Sequence, residues 1–352
     1  SDPDYRRLRA KHGGPRMVGT SRDRDNGELL HAVRCIDRYM PWHNGTIFIV
    51  TPGQTPAWLN TSHPRVKIVD QDDIIPEFAV PTFSSNVVEQ SLHRIPGLTP
   101  IFAYWNDDYF LGREVQPEDF VMSIAGQRYA LLFFTKGFIR FGDDNIEKAR
   151  QWKNKWYATL FNTNGRLNDV FGQDKSRVHI CHAPYMFFKD AFENIHSIWK
   201  DELNLTAQHK FRTWNDVLFP YLHHYYVKHE GASCCGFNFK ERSFSRWTTD
   251  QFQFHVLKDN RTSNEEVFRE IRTQRPSFYT LNDGFRHAQI GELQLRPFLL
   301  SMNEGFKASF ELPAYVDPSL KRARSGGSGP PKRHFRPREQ NSKGNRQPRK
   351  GQ

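Results

Sequence analysis

Residues Pro81–Arg113 read PTFSSNVVEQSLHRIPGLTPIFAYWNDDYFLGR. The spacing of the apolar residues predicts a helix over Asn86–Ile95, followed by a turn at Pro96-Gly97. An apolar strand, Ile101–Trp105, comes next and is followed directly by Asn106-Asp107-Asp108. Ligands in α/β sheets bind beyond the carboxyl ends of the strands, so this segment predicts both an α/β fold and the position of a site.

The adjacent carboxylates of Asp107 and Asp108 suit a divalent cation. Hard oxygen ligands bind Mg²⁺ or Mn²⁺ and hold the ion against phosphate oxygens. The predicted helix adds a carboxylate, Glu89, and a guanidinium, Arg94. An ordinary polar turn after a strand would give the same aspartate pair, and Glu89 could simply pair with Arg94, so both interpretations stay open.

The segments around this stretch alternate between helix and strand. Asp25-Asn26-Gly27-Glu28 predicts the start of a helix, with a capping residue followed by an acid in the first turn, and short apolar strands are predicted at Thr46–Val50 and Val66–Val69. This alternation predicts an α/β fold with a mostly parallel, Rossmann-like sheet and flanking helices. Later in the chain, the pattern predicts helices at Lys189–Leu203, Trp214–Lys228 and Ser263–Arg272, and a strand at Phe278–Asn282.

The positive charge of the chain is concentrated at its end. The 352 residues carry a net charge of +11, but eleven lysines and arginines and one glutamate follow residue 320. The body is therefore close to neutral. The Gly/Pro/Ser-rich tail has too few apolar residues to form a core, so residues 318–352 are predicted to be a disordered basic tail after one domain, residues 1–317. No specific nucleic-acid partner is expected.

Several large classes of protein are disfavoured by missing motifs. The chain has no run of about 18 apolar residues, as a membrane-spanning helix would need, and no signal peptide is visible. It also lacks G-x-G-x-x-G, G-x-x-x-x-G-K-[ST] and G-x-S-x-G. Dinucleotide dehydrogenases, P-loop kinases and α/β-hydrolases are therefore disfavoured.

Other polar residues are candidates for the same chemistry. His182 lies just before Pro184, Arg212 follows thirty residues later, and the last predicted strand ends in Asn282-Asp283. Each has an ordinary alternative, because such a histidine is more often structural, such an arginine is usually on the surface, and Asn-Asp pairs are common in turns.

The chain resembles the Stealth proteins over three blocks, at about 24–113, 179–215 and 276–292. The second of these blocks holds His179–Phe187 and the third holds Phe278–Ile290. The segments of the first block that carry the resemblance are RDNGEL (Arg24–Leu29), IFIVTPGQTPAWLN (Ile47–Asn60), HPRVKIV (His63–Val69), PTFSSN (Pro81–Asn86), LHRIPGL (Leu92–Leu98) and NDDYFLGR (Asn106–Arg113).

The resemblance implies an activity. Stealth proteins are hexose-1-phosphate transferases of bacterial capsule synthesis, and an animal relative is the α/β subunit of the Golgi N-acetylglucosamine-1-phosphotransferase. The implied reaction moves a sugar-1-phosphate, with GlcNAc-1-phosphate favoured, from a UDP-sugar donor to a hydroxyl of a glycan or capsular polysaccharide, releasing UMP. The implied location is the Golgi lumen for a eukaryotic chain, which is favoured, or the cytoplasm or membrane periphery for a bacterial one, and a homodimer is left open.

The resemblance also implies the residues of the site. The family's active-site positions fall on Glu89, Asp108, His182 and Arg212. A divalent cation, Mg²⁺ or Mn²⁺, is expected on Asp107 and Asp108. His182 is expected to act as general base or to orient the acceptor hydroxyl, because the ordinary pKa of histidine lies near neutrality, and Glu89 could be that base instead. The residues expected to bind substrate are Asn106, Arg94, Asn282 and Asp283. The family's first signature has no counterpart here, so the first strand is expected to be missing.

Two rival functions remain open at this point. A metal-dependent glycosyltransferase would use the same acidic strand end to bind a UDP-sugar, but would release UDP. A non-enzymatic protein would instead bind polyanions through the basic tail.

Overall fold

The computed structural model describes residues 2–14, 24–135, 150–151, 154–173, 177–236, 238–244 and 248–317. Residues Ser1–Leu312 form one compact unit, and a second unit, Pro313–Gln352, contributes only residues 313–317 to the described structure. The predicted disordered tail, residues 318–352, lies outside the described residues.

Helices and strands alternate along the chain, which confirms the predicted α/β class. The described α-helices are Pro3–Gly13 (α1), Glu28–Tyr39 (α2), Gln71–Ile74 (α3), Ser85–Glu89 (α4), Lys155–Phe171 (α5), Lys189–Ile198 (α6), Lys200–Gln208 (α7), Phe219–Cys235 (α8), Arg261–Gln274 (α9), Ala288–Ile290 (α10) and Arg296–Met302 (α11). The described strands are Ile47–Thr51 (β1), Val66–Asp70 (β2), Ile101–Tyr104 (β3), Tyr109–Leu111 (β4), Val121–Ile124 (β5), Gln127–Thr135 (β6), Tyr185–Phe188 (β7), Asn238–Phe244 (β8), Phe252–Leu257 (β9) and Phe278–Asp283 (β10).

The strands form small mixed sheets, so the prediction of a mostly parallel, Rossmann-like sheet is wrong in its strand pairing. The pairs β1–β2, β6–β8 and β9–β10 are parallel, whereas β3–β7, β4–β10 and β5–β6 are antiparallel. The alternation of helix and strand reports the type of each element but not its partner. The partner of β3 is about 80 residues away in the sequence, and only contacts in the folded chain select it.

Two predicted helices are interrupted. The helix expected over Asn86–Ile95 ends at Glu89, and a separate 3₁₀ turn follows at Leu92–Arg94. Ser91 marks the break, because its hydroxyl donates to the carbonyl of Val87 at 2.9 Å and competes with the helical backbone pattern. The helix expected over Lys189–Leu203 divides at Trp199 into α6 and α7.

The core is built mainly from aromatic side chains. Strands β6 and β7 and helix α8 each supply rings that are almost completely buried, including Phe133, Phe187 and Tyr221. Burial of such large rings supplies most of the hydrophobic stabilisation of a domain and fixes the strands that carry them.

Strand register brings distant segments to one place. In the antiparallel pair β3–β7, Tyr104 lies opposite Tyr185, and in β4–β10, Tyr109 lies opposite Thr280. The turn that joins β3 to β4 holds Asn106-Asp107-Asp108 and therefore lies beside both pairs. The Thr280 hydroxyl also donates to the carbonyl of His182 at 2.5 Å. The ends of four strands consequently position the polar residues discussed below.

A buried ion pair ties α2 to the last residues of the compact unit. The Arg34 guanidinium donates from Nε and Nη2 to the two carboxylate oxygens of Glu311, at 2.7 and 2.8 Å. The Glu311 side chain is fully buried, and the backbone N–H of Ala308 also donates to it, at 2.7 Å. Each charge is thus satisfied by the other, and neither can be removed alone without leaving its partner unpaired.

Replacing Glu311 by glutamine should lower the free energy of unfolding by about 3–5 kcal/mol, because Arg34 would remain buried without a counter-charge. The matched control is Glu265→Gln, which breaks the exposed pair between Arg261 and Glu265 within α9. That change should cost less than about 1 kcal/mol. Urea unfolding measures both variants, and equal losses would contradict this assignment.

Candidate active site

A continuous set of side-chain contacts, called the polar chain below, joins the end of α4 to the turn after β3 and to the segment before β7. The Tyr104 hydroxyl lies 3.1 Å from Glu89 Oε1 and donates to Asn106 Oδ1 at 2.5 Å. Asn106 Nδ2 donates to the Tyr109 hydroxyl at 3.1 Å, and this hydroxyl lies 3.1 Å from His182 Nδ1. The residues of the polar chain, in spatial order, are Glu89, Tyr104, Asn106, Tyr109, His182 and Asp108.

The two tyrosine hydroxyls of the polar chain stay protonated. Burial raises the pKa of Tyr104 well above its ordinary value, and the negative charge of Glu89 adds to this effect. Burial likewise raises the pKa of Tyr109 well above its ordinary value, with further contributions from Tyr185 and Asp108. Both groups therefore act as neutral hydrogen-bonding links, each able to donate one proton and to accept.

The two ring nitrogens of His182 have different surroundings. Nδ1 faces the Tyr109 hydroxyl, whereas Nε2 lies 3.4 Å from Asp108 Oδ2. The His182 and Asp108 side chains are 23% and 20% exposed, so both reach the surface of the site. Because Tyr109 occupies Nδ1, Nε2 is the nitrogen that can meet a substrate.

The two oxygens of Asp108 also differ. Oδ2 faces His182, whereas Oδ1 is buried and has no hydrogen-bond partner among the described residues. A carboxylate oxygen of this kind fits a divalent cation, which prefers charged oxygen ligands.

Few side chains are placed to share such a cation. In the part of the chain that the structure describes, no group of three or more His, Cys, Asp or Glu side chains is placed to hold a metal ion. The cation would therefore take most of its ligands from phosphate and water, as Mg²⁺ commonly does.

Arg212 contacts the first residue of α4. Its Nη2 donates to the Ser85 hydroxyl at 2.8 Å, and Ser85 opens the helix whose last residue is Glu89. The backbone N–H of Phe83 donates to the carbonyl of Lys210 at 2.9 Å, and the rings of Phe83 and Phe211 stack with centroids 4.9 Å apart. This packing fixes the segment that carries Arg212 against the start of α4.

Two regions of the chain match known protein regions. Conserved region 2 of the Stealth proteins matches residues 22–129, and conserved region 3 matches residues 181–229. The chain belongs to the Stealth protein family. The blocks predicted at 24–113 and 179–215 overlap these regions, which confirms the resemblance. The polar chain crosses between them, because Tyr109 lies in region 2 and His182 in region 3.

Similarity extends to Stealth relatives from bacteria and animals. The chain is 32% identical over 291 residues to an exopolysaccharide phosphotransferase of Streptomyces coelicolor, which covers 80% of this chain and 44% of that protein. It is 31% identical to a capsular polysaccharide phosphotransferase of Haemophilus influenzae, over 55% of this chain and 51% of that protein. It is 45% identical to the human N-acetylglucosamine-1-phosphotransferase subunits alpha/beta, over 32% of this chain and 9% of that protein. The chain thus spans about half or less of the length of these relatives.

The structure brings together part of the predicted set of Stealth site residues. Glu89, Asn106, Asp108 and His182 are members of the polar chain, and Arg212 contacts Ser85 in the helix that ends at Glu89. Asp107, in the same turn, is exposed. Partial loss of hydration, followed by the negative charge of Asp108, raises the pKa of Asp107 to about 6.

Arg94 and Asn282 are not part of the polar chain. Arg94 Nη1 donates to the carbonyl of Ile74 at 3.3 Å, and its charge acts on His93 and His196. Asn282 lies on β10 and pairs through the backbone register with Val256. A direct role for either residue in binding substrate stays a prediction.

A second polar network lies near the polar chain, at the end of β10. Asp283 Oδ1 accepts from Arg24 Nη2 at 2.8 Å, and Asp283 Oδ2 lies 3.4 Å from Asn26 Nδ2. Asn26 also donates to both carboxylate oxygens of Glu28, at 2.6 and 2.7 Å. Burial raises the pKa of Glu28 to about 7, and the charge of Asp107 acts in the same direction.

Sequence analysis missed Tyr104, Tyr109 and Glu28 as members of these networks. Tyr104 and Tyr109 look like ordinary apolar strand residues, since tyrosine is common in strands. One signal was available, because both flank the Asn-Asp-Asp turn in YWNDDY. Glu28 stands at the start of a predicted helix, where an acidic residue has its own explanation in the helix dipole.

The raised pKa of Glu28 gives a pH prediction. The folded chain binds the Glu28 proton more tightly than the unfolded chain, whose pKa is near 4.5, so the contribution to folding is present at low pH and is lost as the pH rises from about 4.5 to about 7. Glu28→Gln should remove this decline, which is at most about 1.4 kcal/mol per pH unit. Urea unfolding between pH 4.5 and 8 measures the slope.

The control for this prediction is Glu266→Gln on the exposed side of α9. That variant should keep the slope of the parent chain. If Glu28→Gln also keeps it, Glu28 binds its proton equally well in the folded and the unfolded chain, and the prediction is wrong.

Proposed function

We propose that this chain is the catalytic part of a sugar-1-phosphate transferase. It would move a hexose-1-phosphate, with GlcNAc-1-phosphate as the favoured group, from a UDP-sugar to a hydroxyl of a glycan acceptor, releasing UMP. Two facts support this. Relatives that share its conserved regions are named as phosphotransferases of exopolysaccharide, capsular polysaccharide or N-acetylglucosamine-1-phosphate. The polar chain also offers a base and an acid group at one surface.

One observation carries the proposal: the placement of Nε2 of His182 at 3.4 Å from Asp108 Oδ2, with Nδ1 occupied by Tyr109. A transferred phosphoryl group needs positioning, charge neutralisation and an acceptor for one proton. His182 can accept that proton, and Asp108, in contact with it, can stabilise the positive charge that the ring then carries.

In the proposed step, the acceptor hydroxyl oxygen attacks the sugar-linked phosphorus. A new P–O bond forms, the P–O bond to the UMP portion breaks, and UMP leaves with the bonding electron pair. The acceptor proton passes to His182 Nε2. This transfer requires the neutral ring to carry its hydrogen on Nδ1, where the N–H donates a hydrogen bond to the Tyr109 oxygen. Asp108 Oδ2 then stabilises the imidazolium. The anomeric C–O bond of the sugar stays intact.

The remaining residues would handle the negative charge of the diphosphate. Arg212 would bind phosphate oxygens through its planar guanidinium, whose geometry suits bidentate recognition. Asp108 Oδ1 and Asp107 would hold Mg²⁺ or Mn²⁺, which when bound would neutralise charge on the phosphates. Glu89 and Asn106 would fix the tyrosines that orient His182.

The leaving nucleotide tests this proposal against the glycosyltransferase alternative. Purified chain is incubated with a panel of UDP-hexoses, a glycan acceptor and Mg²⁺ or Mn²⁺, and the nucleotide products are separated by chromatography. We expect UMP and an acceptor that has gained a phosphodiester-linked sugar. Release of UDP with a directly linked sugar would replace the proposal by glycosyl transfer, and no turnover with any donor would reject both enzymes.

Variants of His182 and Tyr109 test the proposed roles. His182→Ala should lower kcat by several orders of magnitude, because it removes the proton acceptor. Tyr109→Phe keeps the ring and its packing but removes the hydroxyl at Nδ1, so kcat should fall by about 10- to 100-fold with little change in the KM of the donor, and its pH dependence should shift. Thermal unfolding checks that both variants fold. Near-normal turnover of His182→Ala would contradict the assignment.

A further inference from the structure

The side-chain amide of Asn86 is buried, and no hydrogen bond within the described fold accounts for its place there. It lies in α4, its side chain is fully buried, and neither Oδ1 nor Nδ2 has a hydrogen-bond partner among the described residues. The hydroxyl of Ser84, two residues earlier, is also buried and lacks a partner in the same part of the structure. Unpaired buried polar groups lower stability, so a chain that keeps them calls for an explanation.

The position of Asn86 supplies that explanation. Residues three apart on a helix lie on the same face, so Asn86 shares a face with Glu89. Glu89 contacts the Tyr104 hydroxyl of the polar chain, and the residue next to Asn86, Ser85, accepts a hydrogen bond from Arg212 at 2.8 Å. Asn86 therefore lies next to both Glu89 of the polar chain and Ser85, which contacts the arginine proposed to bind phosphate.

We propose that Asn86 contacts the substrate and sets its sugar specificity, by exchanging hydrogen bonds with a hydroxyl or acetamido group of a hexose. This inference rests on the proposed function. An amide offers both a donor and an acceptor, and these sugar groups offer the same two functions in return. A site that hydrogen-bonds such a group discriminates strongly against a sugar that lacks it, since its own polar atoms would then stay unpaired.

Access to the amide requires only local movement. Ser85 and Val88, its neighbours in α4, are half-buried, whereas Asn86 itself is covered. The helix has only five residues and ends at Glu89, so few backbone hydrogen bonds oppose a shift of this turn. We infer that a shift of this turn, together with a change of the Asn86 rotamer, exposes the amide when substrate binds.

The test compares two asparagines that are equally buried and differently bonded. Asn86→Leu removes the unpaired amide and keeps a side chain of similar size. The control is Asn264→Leu, because Asn264 is also almost fully buried but both of its amide atoms are bonded, to Lys258 and Gln294. Each variant is assayed for thermal stability, for the KM of UDP-GlcNAc and of the acceptor, and for the affinity of UDP by calorimetry.

The two variants should behave in opposite ways. Asn86→Leu should unfold at the same temperature as the parent or higher, because no hydrogen bond is lost, and should raise the KM for one sugar substrate about tenfold or more. Its affinity for UDP, which has no hexose, should be unchanged. Asn264→Leu should lower the unfolding temperature and leave both KM values as they were. A raised KM for UDP-GlcNAc would show that Asn86 contacts the donor sugar. A raised KM for the acceptor would show that it contacts the acceptor sugar.

Other results would overturn the inference separately from the proposed function. If the parent chain transfers sugar phosphate but Asn86→Leu keeps both KM values, Asn86 has no contact with the sugar and its amide serves the fold, for example through a buried water. If Asn86→Leu loses stability as Asn264→Leu does, the amide is bonded within the fold and the inference also fails. If the parent chain has no transferase activity with any UDP-hexose, the proposed function fails and this inference fails with it.

Discussion

The hydroxyl of Tyr109 holds the two halves of the site together. It accepts a hydrogen bond from Asn106, in the turn after β3, and faces Nδ1 of His182, in the segment before β7. These residues are more than 70 positions apart and belong to the two conserved regions found in the chain. Every role given to His182 depends on this contact, since the occupant of one ring nitrogen decides which nitrogen is left for chemistry.

The acidic residues near the site differ in their partners and in the pKa of their carboxyl groups. Asp283 pairs with Arg24, and Asp108 faces His182. Loss of hydration and then the charge of Asp108 raise the pKa of Asp107 to about 6, and burial raises the pKa of Glu28 to about 7. The negative charge of Asp108 raises the pKa of Asp107, and the negative charge of Asp107 contributes to the raised pKa of Glu28. A diphosphate would add more negative charge to the same place. The positive groups that would balance it are Arg212 and the divalent cation proposed on Asp107 and Asp108.

Much of the site could be read from the sequence, because its residues stand in short local patterns. Asn106-Asp107-Asp108 follows an apolar strand, and the motifs around Glu89 and His182 resemble those of a family whose conserved regions the chain carries. The strand pairing could not be read in this way. The pairs β3–β7 and β4–β10 join segments that lie far apart in sequence, and their antiparallel sense follows from packing of the whole unit. The tyrosines of the polar chain were missed for the same reason, because their hydroxyls gain a role only when the register is known.

Because of this strand pairing, the geometry of the site does not depend on the length of the polypeptide that connects the strands. Backbone ladders hold β3 beside β7 and β4 beside β10, so the distance between Asp108 and His182 does not depend on how many residues connect them. Closing a longer loop costs entropy that grows only with the logarithm of its length. Evolution can therefore add whole modules between these strands while the reactive groups keep their spacing.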